Sequence, residues 1–163
     1  MAQIFISLGS NADREFHIRQ ALHELTAVFG TLQLSRLYES EAVGFCGDAF
    51  YNMVVGAYTQ LSIAECVQVF KAIEDRYGRV RDASRYSGRT LDLDLLIYDA
   101  VICDSPAQLP RDEILENAYV LLPLAEIAPN LLHPTEQISY QTLWQQYKKS
   151  QKLWPIPFHF SAE

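Results

Sequence analysis

Asp92 and Asp94 stand two residues apart in the run Gly88-Arg89-Thr90-Leu91-Asp92-Leu93-Asp94-Leu95-Leu96-Ile97-Tyr98. Leu91, Leu93 and Leu95 alternate with the acids, which predicts a strand with successive side chains on opposite faces. One face is leucine and turns to a core. The other carries two carboxylates, roughly 7 Å apart at Cβ by the strand rise. Acids so placed repel unless a cation sits between them. Mg²⁺ suits such a pair, because it takes one or two carboxylates and completes its shell with waters and substrate phosphates. The preceding residues supply positive charge: Arg76, Arg79, Arg81, Arg85 and Arg89 are five of the 13 basic residues. The chemistry this pattern suggests is a metal-dependent phosphate site, with carboxylates for the metal and arginines for phosphate oxygens. The same residues also allow a plainer arrangement, in which the acids pair with Arg79 or Arg89 on a solvated face. A salt-bridge ladder does not explain why the acids sit on an apolar strand fed by a loop with Gly78, Ser84, Ser87 and Gly88.

Composition narrows the classes. At 163 residues the chain is expected to be one domain, residues 1–163, with a substantial core. Hydrophobic residues make up 49% and charged residues 20%, ordinary values for a globular protein. No apolar run approaches the roughly 20 residues of a membrane span, and the N-terminus lacks the pattern of a secretory signal. Neither a membrane nor nucleic acid is an expected partner, since a net charge of −7 disfavours general nucleic-acid binding. Cys46, Cys66 and Cys103 are odd in number and widely spaced, which predicts neither a disulfide framework nor a zinc site and points to a reducing, cytoplasmic location. His17, His23, His133 and His159 are equally scattered and read as surface or packing residues.

Ile4–Leu8 reads as a strand, Gly9-Ser10-Asn11 as a turn with two potential helix caps, and Phe16–Phe29 as a helix ended by Gly30. Leu32–Tyr38 reads as a second strand, Glu39–Ala49 as a loop, and Phe50–Tyr58 as a third strand. Asn52 lies inside that strand, where its amide either ties down the loop or offers a donor and an acceptor to a flat heterocycle, with Phe50 as a stacking wall. Ser62 and Glu65 predict a capping box for a helix ending at Gly78. After the Asp-x-Asp strand, Val101-Ile102 suggests a hairpin arm. Asp112–Ala128 is largely helical, with Pro123 at a break or first turn, and Ser139–Tyr147 is a last short helix. The tail Trp154–Phe158 is apolar and extended, expected to pack along the surface. The order β-α-β-β-α-β is the ferredoxin-like pattern of an α+β fold, with an antiparallel sheet, helices on one face and C-terminal additions.

Several motifs coincide: Ser7-Leu8-Gly9-Ser10-Asn11, Phe50-Tyr51-Asn52, Arg79-Val80-Arg81, Gly88–Asp94, Leu109-Pro110 and Tyr119–Pro129. Over residues 3–145 the chain resembles the 6-hydroxymethyl-7,8-dihydropterin pyrophosphokinase family of folate biosynthesis. The resemblance implies transfer of pyrophosphate from ATP to the pterin's hydroxymethyl oxygen, with release of AMP. It implies two Mg²⁺ ions bound with ATP and held by Asp92 and Asp94. Arg79 and Arg89 would contact the phosphates, helped by Arg81. Lys71 and Glu74 would lie at the nucleotide site, with Leu95 against adenine. Asn52 would hydrogen-bond the pterin between Phe50 and Tyr119, and backbone near Ser40 and Val43 would read its amide edge. A monomer is the expectation.

The chain departs from the family pattern in places. Relatives commonly have His where Arg111 stands, and Arg where Asn117 stands. Arg111 is therefore expected at the nucleotide, replacing both positive groups. Ser40-Glu41 stands where Thr-Pro is usual, and Asp82 where a basic residue is frequent. These departures motivate one alternative, a catalytically altered paralogue that binds pterin or nucleotide as a regulator or partner. A nucleotide-sugar transferase, which also uses Asp-x-Asp, fits the short chain and the arginine loop less well.

Overall fold

The computed structural model describes residues 1–41, 49–78 and 91–161. Strand β1 (Ala2–Ser10) is an interior strand, antiparallel to both β4 (Phe50–Thr59) and β5 (Asp92–Tyr98). The order across the sheet is β5-β1-β4-β3-β6, with β3 at Leu37–Ser40, β6 at Leu153–Ile156, and the two-residue β2 (Gln33–Leu34) also on β4. The first five strands carry the ferredoxin-like arrangement that the element order predicts. Helices α1 (Arg14–Phe29) and α2 (Ile63–Arg76) cover one face, over Ile4, Ile6, Leu8, Met53, Val55, Leu91, Leu93 and Leu95. The Ser62–Glu65 capping box starts α2 as expected, and Gly30, at φ +78°, ends α1.

The C-terminal additions are a third layer. Helices α3 (Glu113–Glu116), α4 (Ala118–Ile127) and α5 (Tyr140–Gln146) follow β5. Helix α4, backed by α5, buries Val120, Leu121 and Leu124 against Phe5, Val54, Leu96 and Ile97 on the second face. The two core helices thus lie on one face, as expected, and the C-terminal additions cover the other. The cause is the consecutive Leu96-Ile97. The ladder pairs Ile6 with Leu95 but Phe5 with Ile97, so Leu96 is an extra residue in a β-bulge. Leucines up to Leu95 serve the first core, and Leu96 and Ile97 serve the second.

Other local expectations change. Gly9 and Ser10 are not a turn. They continue β1, opposite Asn52 and Tyr51, and the cap of α1 is Asp13 at φ +44°. The expected second strand breaks at Ser35-Arg36. Ser35 Oγ accepts from Val54 N at 3.0 Å, and Arg36 N donates to Glu126 Oε1 of α4 at 2.6 Å. Val101-Ile102 forms no strand; a single bridge joins Cys103 to Leu109 instead. Pro123 sits inside α4, costing one backbone bond in a helix held by its burial. The tail pairs with β3, a sixth strand rather than a surface strap.

Candidate active site

A cleft of about 570 Å³ opens where α4 stops covering the second face. Its floor follows from register. Asp94 lies beside Ser7, and Asp92 beside Gly9. Gly9 in turn lies beside Asn52, and Asn52 beside Tyr38. All these residues share one face because side chains alternate. The acids stand on one flank, Asn52 and Phe50 on the other, with Gly9 and Ser7 as a low floor between them. The Gly9 position is tight: a Cβ there would lie 3.0 Å from Asn52 Nδ2.

Asn52 is buried, and its Oδ1 accepts from Ser40 Oγ at 3.3 Å. Ser40 comes from β3 and pairs directly with Phe50. Tyr119, in the first turn of α4, faces the same space. Glu126 at the far end of α4 fastens that helix to β3: its carboxylate accepts from Arg36 Nε at 2.7 Å and from Tyr38 Oη at 2.8 Å. Burial, with the Glu126 charge beside it, pushes the Tyr38 hydroxyl up to about 12, so it stays a donor.

The opposite flank is built by α2 and the segment after β5. Lys71 is exposed at the rim, whereas Glu74 is buried, and its Oε2 accepts from Leu93 N at 2.9 Å. Leu93 lies between the two aspartates, so Glu74 anchors the backbone that presents them. Leu95 is buried behind the acids and also borders the cleft. Arg111 reaches in: its Nη2 lies 3.4 Å from Asp94 Oδ1 and 3.0 Å from Glu113 Oε1, and its backbone N bonds Leu96 O at 3.0 Å. Asn117 is not in the cleft lining. It stands at the N-cap position of α4 without a side-chain cap bond, and its Oδ1 accepts from Gln151 Nε2 at 3.5 Å.

Ser40, Phe50, Asn52, Lys71, Glu74, Asp92, Asp94, Leu95, Arg111 and Tyr119 therefore meet in one cleft. Val43, Arg79, Arg81 and Arg89 lie outside the described residues. Sequence reasoning missed Ser7, Val67, Phe70, Glu113 and the Pro106–Gln108 segment, which also line the cleft. Val67 and Phe70 were legible only as one face of α2, one turn from Lys71 and Glu74.

Asp92 and Asp94 are both half-buried on adjoining positions of one face. Among the described residues, no three His, Cys, Asp or Glu side chains gather as a metal cage. Two carboxylates open to a cleft suit a hard divalent ion that keeps waters and takes substrate phosphate oxygens.

Comparison with known proteins gives the site its context. A family model described as 7,8-dihydro-6-hydroxymethylpterin-pyrophosphokinase matches residues 5–129. The chain is 32% identical over 159 residues to the 2-amino-4-hydroxy-6-hydroxymethyldihydropteridine pyrophosphokinase of Aquifex aeolicus, covering 96% of each. It is 39% identical over 129 residues to the protein of the same description from Bacillus subtilis, covering 76% of each. Among solved structures, wild-type Plasmodium falciparum HPPK-DHPS with pteroate superimposes with a TM-score of 0.72 at 14% identity. That match covers 90% of this chain but 42% of the Plasmodium chain, and it speaks to fold alone.

Proposed function

The chain belongs to the 7,8-dihydro-6-hydroxymethylpterin-pyrophosphokinase family, and on that premise we propose that it transfers pyrophosphate from ATP to the hydroxymethyl oxygen of 6-hydroxymethyl-7,8-dihydropterin in folate biosynthesis. The observation that carries this reading is the floor of the cleft, where an acid pair and an amide-aromatic pair face each other across Ser7 and Gly9. The pterin lies over Gly9, between Phe50 and Tyr119, with Asn52 and backbone near Ser40 and Val43 at its polar edge. ATP lies along α2, with Leu95 against adenine and Lys71, Glu74 and Arg111 around it. The hydroxymethyl oxygen then faces the β-phosphorus. A bond forms between them as the hydroxyl proton is released to solvent, the bond from that phosphorus to the α–β bridging oxygen breaks with its electron pair staying on that oxygen, and AMP leaves. Two Mg²⁺ ions, held by Asp92 and Asp94, would neutralise phosphate charge and align the attacking and leaving oxygens. Arg79, Arg81 and Arg89 supply phosphate contacts.

Ser40 fixes the Asn52 amide before substrate arrives, so the ordering cost on binding is small. Arg111, held between Asp94 and Glu113, is a cation placed for the nucleotide phosphates. Cytoplasmic residence and a monomer complete the proposal. Cys66 and Cys103, both free thiols, support the first. The sheet edges support the second, because Pro155 leaves β6 without one backbone N–H and Glu74 occupies an outward N–H of β5.

The test is product analysis with MgATP and 6-hydroxymethyl-7,8-dihydropterin, followed by mass-resolved chromatography. AMP and the pterin diphosphate are expected in equal amounts, and neither with Asp94→Asn. ADP in place of AMP, or binding of both substrates without product, would overturn the assignment.

A further inference from the structure

The pterin side of the cleft ends in a cross-strand pair, Ser40 on β3 and Phe50 on β4. The next pair down is Glu39 and Tyr51, which by alternation point to the opposite face. There they meet two elements that do not reach the cleft. From α1, Arg14 Nη1 bonds Glu39 Oε2 at 2.6 Å and Ala49 O at 2.9 Å, and its guanidinium lies 4.1 Å from the centre of the Tyr51 ring. From β6, Trp154 stands opposite Glu39 and donates Nε1–H to Glu39 Oε1 at 2.9 Å. Each carboxylate oxygen of Glu39 thus holds a different element. Arg14 ties down the residue before Phe50, and Glu39 is the residue before Ser40. The pair is partly shielded, with side-chain exposures of 26% for Arg14 and 23% for Glu39.

The tail is secured beyond this point as well. Leu153 pairs with Ser40 itself, Lys152 O accepts from Glu41 N at 3.4 Å, and Arg19 bonds His159 O at 2.7 Å while lying 4.6 Å from the centre of the Phe158 ring. The family match stops at residue 129, so this brace uses chain beyond it.

We propose that Arg14, Glu39 and Trp154 are positioning residues for the pterin. Acting from the far face of the sheet, they fix the spacing of Ser40 and Phe50, and through the Ser40–Asn52 bond the orientation of the recognition amide. The C-terminal strand is then part of the substrate-binding apparatus. None of the three lines the cleft itself, so their loss acts on pterin affinity and leaves the phosphate side alone.

This inference rests on the pterin reading above, and its test separates the two. Trp154→Phe keeps the ring and loses the donor. Glu39→Gln keeps an oxygen for Trp154 but loses the charge facing Arg14. Arg14→Met removes the cation. Each is measured by calorimetric titration with the pterin, by KM for pterin and for ATP, by kcat, and by Tm. The expected result is a three- to tenfold rise in pterin Kd and KM for Trp154→Phe, larger for Arg14→Met, with ATP KM and kcat within about twofold. Glu39→Gln falls between wild type and Glu39→Ala. A lowered Tm with unchanged pterin Kd would overturn the inference and leave a merely structural brace. Equal changes in ATP and pterin KM would overturn it too. Failure of the wild-type protein itself to bind the pterin would instead refute the functional reading.

Discussion

One face of the sheet is put to two uses within a few residues. Phe5, Val54 and Ile97 lie on that face under α4 and form a dry core. Two residues along β1, and three along the bulged β5, the same face carries Ser7 and Asp94, and two further along each strand Gly9 and Asp92, beside the open cleft. The backbone ladder is common to both halves, and only the side chains and the covering helix differ. Two glycines make the contrast sharp. Gly56 stands opposite Phe5, where a Cβ would come within 2.9 Å of the Phe5 ring; Gly9 stands opposite Asn52, where it would come within 3.0 Å of the amide. The same absence of a side chain accommodates a packed ring in one half and a recognition group in the other. What makes the cleft is the start of α4, which begins at Ala118, beside Tyr119, rather than extending over Gly9.

Substitutions in each half should therefore fail differently. The largest effect belongs to Asp94→Asn, which removes charge from the metal-facing flank and should lower kcat about 10²- to 10³-fold with the melting temperature nearly kept. Near-normal kcat would remove the acids from the chemistry. Gly56→Ala overpacks the covered half and should cost roughly 1–3 kcal/mol in urea unfolding while both KM values hold. Gly9→Ala should do the reverse, raising pterin KM about tenfold with little change in stability or ATP KM. If the two alanine variants gave the same phenotype, the division of the face would be wrong.

The smallest effect is a pH dependence from the covered half. His133 is buried beside Tyr140, and its Nδ1 accepts backbone N–H bonds from Thr135 at 3.2 Å and Glu136 at 3.1 Å. Burial lowers its pKa below 6.5, so the fold favours the neutral ring. Above pH 6.5 folded and unfolded chains are both neutral there, and stability does not vary. Below it the unfolded chain takes up the proton first, and stability falls toward the lower folded value. Unfolding curves between pH 5 and 8 should show that decline, and His133→Asn, which keeps an acceptor but cannot titrate, should flatten it.

The sequence carried the acids plainly, because strict alternation with leucine fixes a strand and its two faces. It carried α2 equally well through Ser62 and Glu65. It did not reveal the reason for Gly9. A lone glycine before a helix resembles a turn, and only the pairing with Asn52 shows that the position serves a close approach. The break at Ser35-Arg36 was hidden for a similar reason. Its determinants include Val54 and Glu126, distant in sequence. Family resemblance named ten of the cleft side chains, which periodicity could not have grouped, since they come from β3, β4, α2, β5, the segment after it and α4. The tail read as apolar and extended, but hydropathy gives no pairing partner, and so neither β6 nor the contact of Trp154 with Glu39 was foreseeable.

The central claim is that both substrates share this cleft, the pterin over Gly9 and the phosphates beside Asp92 and Asp94. A crystal structure with Mg²⁺, the pterin and α,β-methylene ATP, whose scissile bridge cannot break, tests it directly. The account predicts the pterin ring between Phe50 and Tyr119, with its hydroxymethyl oxygen about 3–3.5 Å from the β-phosphorus and metal density touching both aspartates. A pterin bound away from Asn52, or a triphosphate with no metal between it and the acid pair, would contradict it.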